Sequence, residues 1–192
     1  MHDGRYALNA LWIVFVVYWV VAARGAKRVV RNDSTALTTL SIVVVVAGAV
    51  LLFGQDIHMG VLDHRSSGLP GVHHAIGLAL TAGGIAFAFW ARHVLGGNWS
   101  GGVVVKEGHT LIRTGPYRHI RHPIYTGLLI ALAGTAISFG LWRSWAGFAL
   151  LLVGLWLKAS REEAMMAGEF GEDYAEYRRE AGMFVPRYER GA

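Results

Sequence analysis

Arg118-His-Ile-Arg-His-Pro-Ile-Tyr-Thr-Gly127, RHIRHPIYTG, crowds two arginines and two histidines onto the edge of an apolar run. Pro123 has no backbone N–H to leave unsatisfied, and its fixed φ suits the first helical position. The stretch predicts a helix that begins at Pro123 and enters an apolar environment at once, with Arg118, Arg121 and His122 just outside. The run from Ile124 to Leu141 is close to the roughly 20 residues a helix needs to cross hydrocarbon.

Four more apolar runs repeat the pattern: Tyr6–Ala23, Ala36–Gly54, His74–Ala91 and Trp145–Lys158. The last is shorter and is expected to tilt or to reach the interface early. SIVVVVAGAVLL, residues 41–52, is rich in β-branched residues and would hint at a strand in water. In lipid a helix satisfies its own backbone, so helix is predicted. The chain is 54% hydrophobic and 16% charged, against about 25% charged for a soluble domain. The expected fold is an all-α membrane protein of five transmembrane helices, a single domain over residues 1–192. Cysteine is absent, which excludes disulfides, thiolate metal sites and a thiol nucleophile.

The net charge of +5 does not point to nucleic acid, because the basic residues sit between apolar runs. Arg24, Lys27, Arg28 and Arg31 follow the first run, so the N-terminus is expected outside and a signal peptide is disfavoured. With five spans, fifteen of the eighteen Lys and Arg then fall on the cytoplasmic side, leaving Arg5, Arg65 and Arg143 outside.

Two inner segments exceed plain connections. The first, 92–123, holds GGNWSGG and then two β-prone runs around Glu107-Gly108, which predict a small hairpin. The second is the tail. Glu163, Met166, Phe170, Tyr174, Tyr177 and Ala181 recur at helical spacing, predicting an amphipathic helix on a partner or the membrane surface, weakened slightly by Gly171.

Two charge clusters could carry chemistry. Free N–H groups where the fourth span begins, with Arg118, Arg121 and His122 beside them, form a candidate anion site. Tyr117, Arg121 and Tyr125 share a side if the turn extends back past the proline. Plain positive-inside anchoring explains the same residues. After the fifth span comes Arg161-Glu162-Glu163, acids where a helix C-terminus prefers cations. They either pair locally with Lys158 and Arg161 or hold an amine, a ribose or a sulfonium-bearing ligand. A zwitterion between the two clusters would satisfy both. His58, His64, His73 and His74 crowd the outer loop, and His119 and His122 form an HxxH pair, but neither set has a metal-ligand spacing, so no metal is expected. Trp12, Trp19, Trp90 and Trp145 are read as belt or packing residues, and Gly48, Gly83-Gly84 and Gly134 as points of close helix contact.

The run Gly108–Gly127 resembles the core signature of the isoprenylcysteine carboxyl methyltransferase family, RHPxYxG followed by an acidic pair and FGxxYxxY. Here these are Arg121-His-Pro-Ile-Tyr-Thr-Gly127, Glu162-Glu163 and Phe170-Gly-Glu-Asp-Tyr-Ala-Glu-Tyr177, then Phe184-Val-Pro186, with Leu95-Gly-Gly-Asn-Trp-Ser100 upstream. The blocks occur in order over residues 92–188; the N-terminal half matches in hydropathy alone. The resemblance implies a membrane enzyme using S-adenosylmethionine, with S-adenosylhomocysteine as product. It also implies a cytosol-facing pocket built from the third connection, the RHPxYxG turn and the C-terminal helices. The implied cofactor contacts are His109, Thr110, Leu111, Ile112, Tyr117, His122, Pro123, Ile124, Tyr125 and Glu162, with Arg121 and either Lys106 or Val105 added. Lys158 stands where eukaryotic members have an arginine; lysine keeps the charge and loses the bidentate fork.

The expected reaction is an in-line methyl transfer from sulfonium to a lipophilic or small acceptor, with membrane lipid as neighbour. A carboxylate of the isoprenylcysteine type is already ionised and needs no base; Lys158 or Arg161 would orient it. A phospholipid amine or small thiol would need a base, for which Glu163 or His119 is nearest. A non-enzymatic transporter or scaffold is the rival of another class, and the nearly charge-free spans disfavour transport.

Overall fold

Five long helices lie over the five apolar runs. The computed structural model describes residues 2–23, 29–32, 36–54, 57–66, 70–96, 104–106 and 111–187. They form α1 (His2–Ala23), β1 (Val29–Asn32), α2 (Ala36–Phe53), α3 (Pro70–Leu95), β2 (Val104–Lys106), α4 (Pro123–Phe139), α5 (Trp142–Phe170) and α6 (Glu172–Glu180). Among the described residues one helix, over Gly71–Leu95, is long and apolar enough to cross a membrane; Tyr6–Ala22, Thr38–Phe53 and Pro123–Phe139 are shorter apolar helices. Ile13, Val14, Val17, Ile42, Val43 and Val46 are exposed on α1 and α2, surfaces that suit lipid.

Glycine sets how closely the helices approach. A Cβ on Gly84 would come within 2.5 Å of the Gly127 carbonyl, and one on Gly77 within 2.5 Å of the Gly134 carbonyl. The two pairs are seven residues apart on each helix, so α3 and α4 pack backbone to backbone, antiparallel, along one stripe. Gly48 of α2 and Gly147 of α5 make the same contact. Gly83, expected to share this role, faces open space. At the α3–α4 seam the Thr81 hydroxyl lies 3.2 Å from the Ala131 carbonyl, and Trp12 Nε1 donates to Thr135 Oγ1 at 3.0 Å, bringing α1 to α4.

The connections sort to two ends. β1, between α1 and α2, pairs antiparallel with β2, between α3 and α4 (Val29 with Lys106, Asn32 with Val104). The partner of β2 among the described residues lies in another connection; the expected hairpin around Glu107-Gly108 falls on residues 107–110, outside the described residues. At the other end Arg143 donates to the carbonyls of Gly54 (2.7 Å) and Ile57 (2.9 Å), and its Nε lies 3.2 Å from Asp63 Oδ1. Arg143 is buried: a clamp on the connection between α2 and α3 rather than a surface anchor.

The C-terminal region differs most from expectation. α5 does not stop near Lys158 but runs unbroken to Phe170, so Glu162 and Glu163 lie within a helix, not at its end. It breaks at Gly171, whose φ of +51° favours glycine. The stripe of α6 faces its own chain: Tyr174, Tyr177 and Ala181 are buried against Leu111, Met166, Ala167 and Phe170.

Candidate active site

Pro123 begins α4, as its missing N–H dictates, with Gly140 in the left-handed conformation at the other end. Proline also disfavours helical backbone in the preceding residue; His122 has φ −123° and ψ 60°. The turn before α4 therefore does not extend the helix backwards, and Arg121 is not aligned with Tyr117 and Tyr125 on one helical side. Tyr117 sits in a separate short 3-10 turn, Gly115–Arg118, and meets Ile124 and Tyr125 through tertiary packing with Ala91, Trp19 and Ile112.

Arg121 points to α5. Its Nε donates to Glu163 Oε1 at 2.7 Å, and its Nη1 donates to the Ala181 carbonyl. Both side chains are nearly buried, 9% and 6% exposed. Arg178 Nε approaches the other Glu163 oxygen at 3.6 Å, and His122 Nε2 lies 3.3 Å from Oε1. Burial alone would raise the Glu163 pKa, but the nearness of His122 and the hydrogen-bonded Arg121 guanidinium bring it below the ordinary value of 4.5. Glu163 is thus an ionised tie between the RHPxYxG turn, α5 and the segment after α6, and a poor general base.

Glu162, one residue back, faces elsewhere. Its Oε1 accepts from the Tyr125 hydroxyl at 2.6 Å, and its Oε2 lies 3.6 Å from His122 Nδ1. The His122 and Tyr125 rings are parallel, 5.5 Å apart at 5°. His122 therefore stands between two adjacent carboxylates, one at each ring nitrogen. Its Nε2 is buried without a hydrogen bond of good geometry. Lys158 Nζ lies over the Tyr125 ring at 5.5 Å. Arg161 turns away and donates to Thr38 Oγ1 of α2.

Leu111 packs on the Tyr174–Tyr177 cluster and Ile112 on the Tyr117–Ile124 cluster. Arg113 ties this stretch to α6 through Glu176 at 3.2 Å. The Tyr177 hydroxyl donates to the Tyr117 carbonyl at 2.6 Å. Lys106 lies in β2; His109 and Thr110 lie outside the described residues. Sequence reasoning missed Thr126 and the backbone of 181–183, all joined to the turn by hydrogen bonds. Only the Phe184-Val-Pro186 block signalled that this region matters.

These residues coincide with a recognisable sequence pattern. The model of the isoprenylcysteine carboxyl methyltransferase (ICMT) family matches residues 75–168. Over that stretch the chain is similar to the isoprenylcysteine carboxyl methyltransferase family. Over 81 residues it is 33% identical to a protein-S-isoprenylcysteine O-methyltransferase of Schizosaccharomyces pombe, covering 42% of this chain and 34% of that one. The fold is similar to a solved eukaryotic intramembrane Ras methyltransferase, ICMT, with a TM-score of 0.52 at 23% identity, covering 82% of this chain and 54% of the other. The chain spans about a third of the length of the curated relative and about half of the solved one. The family match includes Arg121, His122, Tyr125, Glu162 and Glu163, the residues that α4 and α5 bring together.

Proposed function

We propose that the chain is a single-domain, multi-pass membrane methyltransferase that uses S-adenosylmethionine to methylate a lipophilic carboxylate of the isoprenylcysteine type. The observation that carries this reading is the meeting of Arg121, His122 and Tyr125 with Glu162 and Glu163 within the family match. The relatives, named as methyltransferases, support the reaction class. The flanking charges orient the chain: the basic connections and tail face the cytoplasm, and five spans bring the site to that side.

The residues fit the donor. S-adenosylmethionine, when bound, supplies a methyl group from a cationic sulfur. Glu162, its carboxylate oriented by the Tyr125 hydroxyl, suits the ammonium or the ribose. The first turn of α4 at Pro123 and Ile124, with His122 beside it, suits the carboxylate. Leu111 and Ile112 offer apolar surface for adenine, and Tyr117 an aromatic one. Lys106, His109 and Thr110 complete the set by resemblance. Arg121 serves differently: its bonds to Glu163 and Ala181 make it the tie that aims His122.

A carboxylate acceptor is ionised at neutral pH, so no side chain has to remove a proton. The work is positioning two ligands in line. Lys158 precedes Glu162 by one helical turn and lies over Tyr125; it orients the acceptor carboxylate. Arg161, engaged with α2, does not. Glu163 acts by holding the turn. The test is transfer of labelled methyl from S-adenosylmethionine to farnesyl-cysteine analogues, phosphatidylethanolamine and short thiols by the detergent-purified chain. Label in the farnesyl-cysteine product alone is expected; label only in the amine or thiol overturns the acceptor assignment, and no label overturns the reading.

A further inference from the structure

After α6 the chain returns to the RHPxYxG turn and pairs with it. The Arg121 amide donates to the Gly182 carbonyl at 2.8 Å and the His122 amide to the Met183 carbonyl at 3.0 Å. The His119 carbonyl accepts from the amides of Gly182 (3.1 Å) and Arg187 (3.3 Å). Thr126 Oγ1 donates to the Phe184 carbonyl at 2.8 Å, one helical turn beyond His122, whose own carbonyl lies 3.2 Å from the same hydroxyl. The Phe184 ring meets the His122 ring edge-on at 6.1 Å. Residues 181–187 therefore run along the turn as a strap, with bonds at 119, 121, 122 and 126.

Two of these bonds take up amides of the turn that α4 cannot use. His122 is the residue before a proline, outside the helix, and its amide cannot join the ladder of α4. Without the strap the amides of Arg121 and His122 would lose their protein acceptors, and the His122 ring would lose the Phe184 contact. The strap is itself tightly made: a Cβ on Gly182 would come within 2.0 Å of the Val185 carbonyl. Apolar burial holds its start at Ala181 but not its far end, where Val185 is 72% exposed. A segment fixed by a few backbone bonds opens more easily than the helices around it.

We propose that residues 181–187 form a strap that sets the geometry of the methyl-donor turn, with Thr126 as the positioning residue that fastens it. This rests on the donor site described under Proposed function. Thr126 touches no ligand; it acts through Phe184 and His122. Linkage then requires the reverse effect: if the docked strap favours donor binding, bound donor must favour the docked strap by the same factor.

S-adenosylhomocysteine is titrated into the full-length, detergent-purified chain, its Thr126→Val, Thr126→Ser and Gly182→Ala variants, and a Val61→Ala control at an exposed outer position. Amide hydrogen exchange of the 181–187 peptide is followed with and without S-adenosylhomocysteine. Thr126→Val and Gly182→Ala are expected to weaken binding about tenfold, the worth of one hydrogen bond at the upper end of the net range. Their ligand-free melting temperatures are expected to stay near that of the wild type. Thr126→Ser restores affinity because it keeps the hydroxyl, and bound ligand slows exchange in 181–187. Binding in both variants equal to the wild type, or exchange in 181–187 unchanged by ligand, overturns the proposal. Absence of binding to the wild-type chain overturns the donor site itself, a separate outcome.

Discussion

Arg121 and Glu163 meet at 2.7 Å although 42 residues separate them. The pair joins the turn that opens α4 to the C-terminal third of α5, and both members are nearly buried. It defines the site by geometry: with this tie made, Glu162 faces His122 Nδ1 and the Tyr125 hydroxyl.

Removing one partner of a buried ion pair leaves the other unpaired and costs about 3–5 kcal/mol. Glu163→Gln is expected to destabilise the chain by about that much, because the Arg121 guanidinium keeps its charge and loses its counter-ion. Denaturant unfolding in a fixed detergent is the measurement; a change under about 0.5 kcal/mol, the ordinary size for a surface site, would contradict the tie.

Acid should loosen the same tie. Burial works against the ionised Glu163, but His122 and Arg121 prevail and hold its folded pKa below 4.5. A depressed carboxyl contributes stability that is present above 4.5 and is lost as pH falls through the folded value. At the other extreme, burial raises Tyr174 and Tyr177 above 10.0; their contribution is complete below that value and is lost as pH rises beyond it. The melting temperature should be flat between these limits, fall below pH 4.5 in the wild type, and lose most of that acid limb in Glu163→Gln.

Helix contact at Gly84 gives a sharp contrast with its neighbour. Gly84→Ala places a methyl within 2.5 Å of α4 backbone, whereas Gly83→Ala meets nothing within 4 Å. The first should cost about 1–3 kcal/mol by overpacking. The second should be neutral or slightly stabilising, since alanine favours helix. Equal effects in thermal unfolding would contradict the α3–α4 seam.

The fold and the site were legible to different depths. Pro123 marked the start of α4 because a missing N–H is a local property, and the apolar runs marked the helices because lipid demands internal hydrogen bonding. The meeting of the RHPxYxG turn with Glu162 and Glu163 was suggested by complementary charge and by the family resemblance. Which acid would be sealed was not, because adjacent helical residues point about 100° apart and only packing decides between them. The β1–β2 pairing, the burial of Arg143 and the strap were invisible for one reason: each is a non-local contact, made mostly by backbone groups that every residue carries. The continuation of α5 past Lys158 escaped notice because charge was read as the edge of a helix when it marks only the edge of its apolar part.

Arg143 makes a complementary case at the far end. Arg143→Ala leaves Asp63 and the carbonyls of Gly54 and Ile57 without that donor. It should lower stability by about 3 kcal/mol while S-adenosylhomocysteine binds the folded fraction with wild-type affinity. A matching loss of affinity would show that the two ends are coupled.

The most direct measurement is isothermal titration of S-adenosylhomocysteine into the detergent-purified wild-type chain and into Glu162→Gln. Glu162 is oriented by Tyr125 and faces His122, so one site per chain is predicted in the wild type, with affinity at least about tenfold weaker in the variant, the size of a charge-assisted hydrogen bond. No binding to the wild type, or the same affinity in both, would contradict the account.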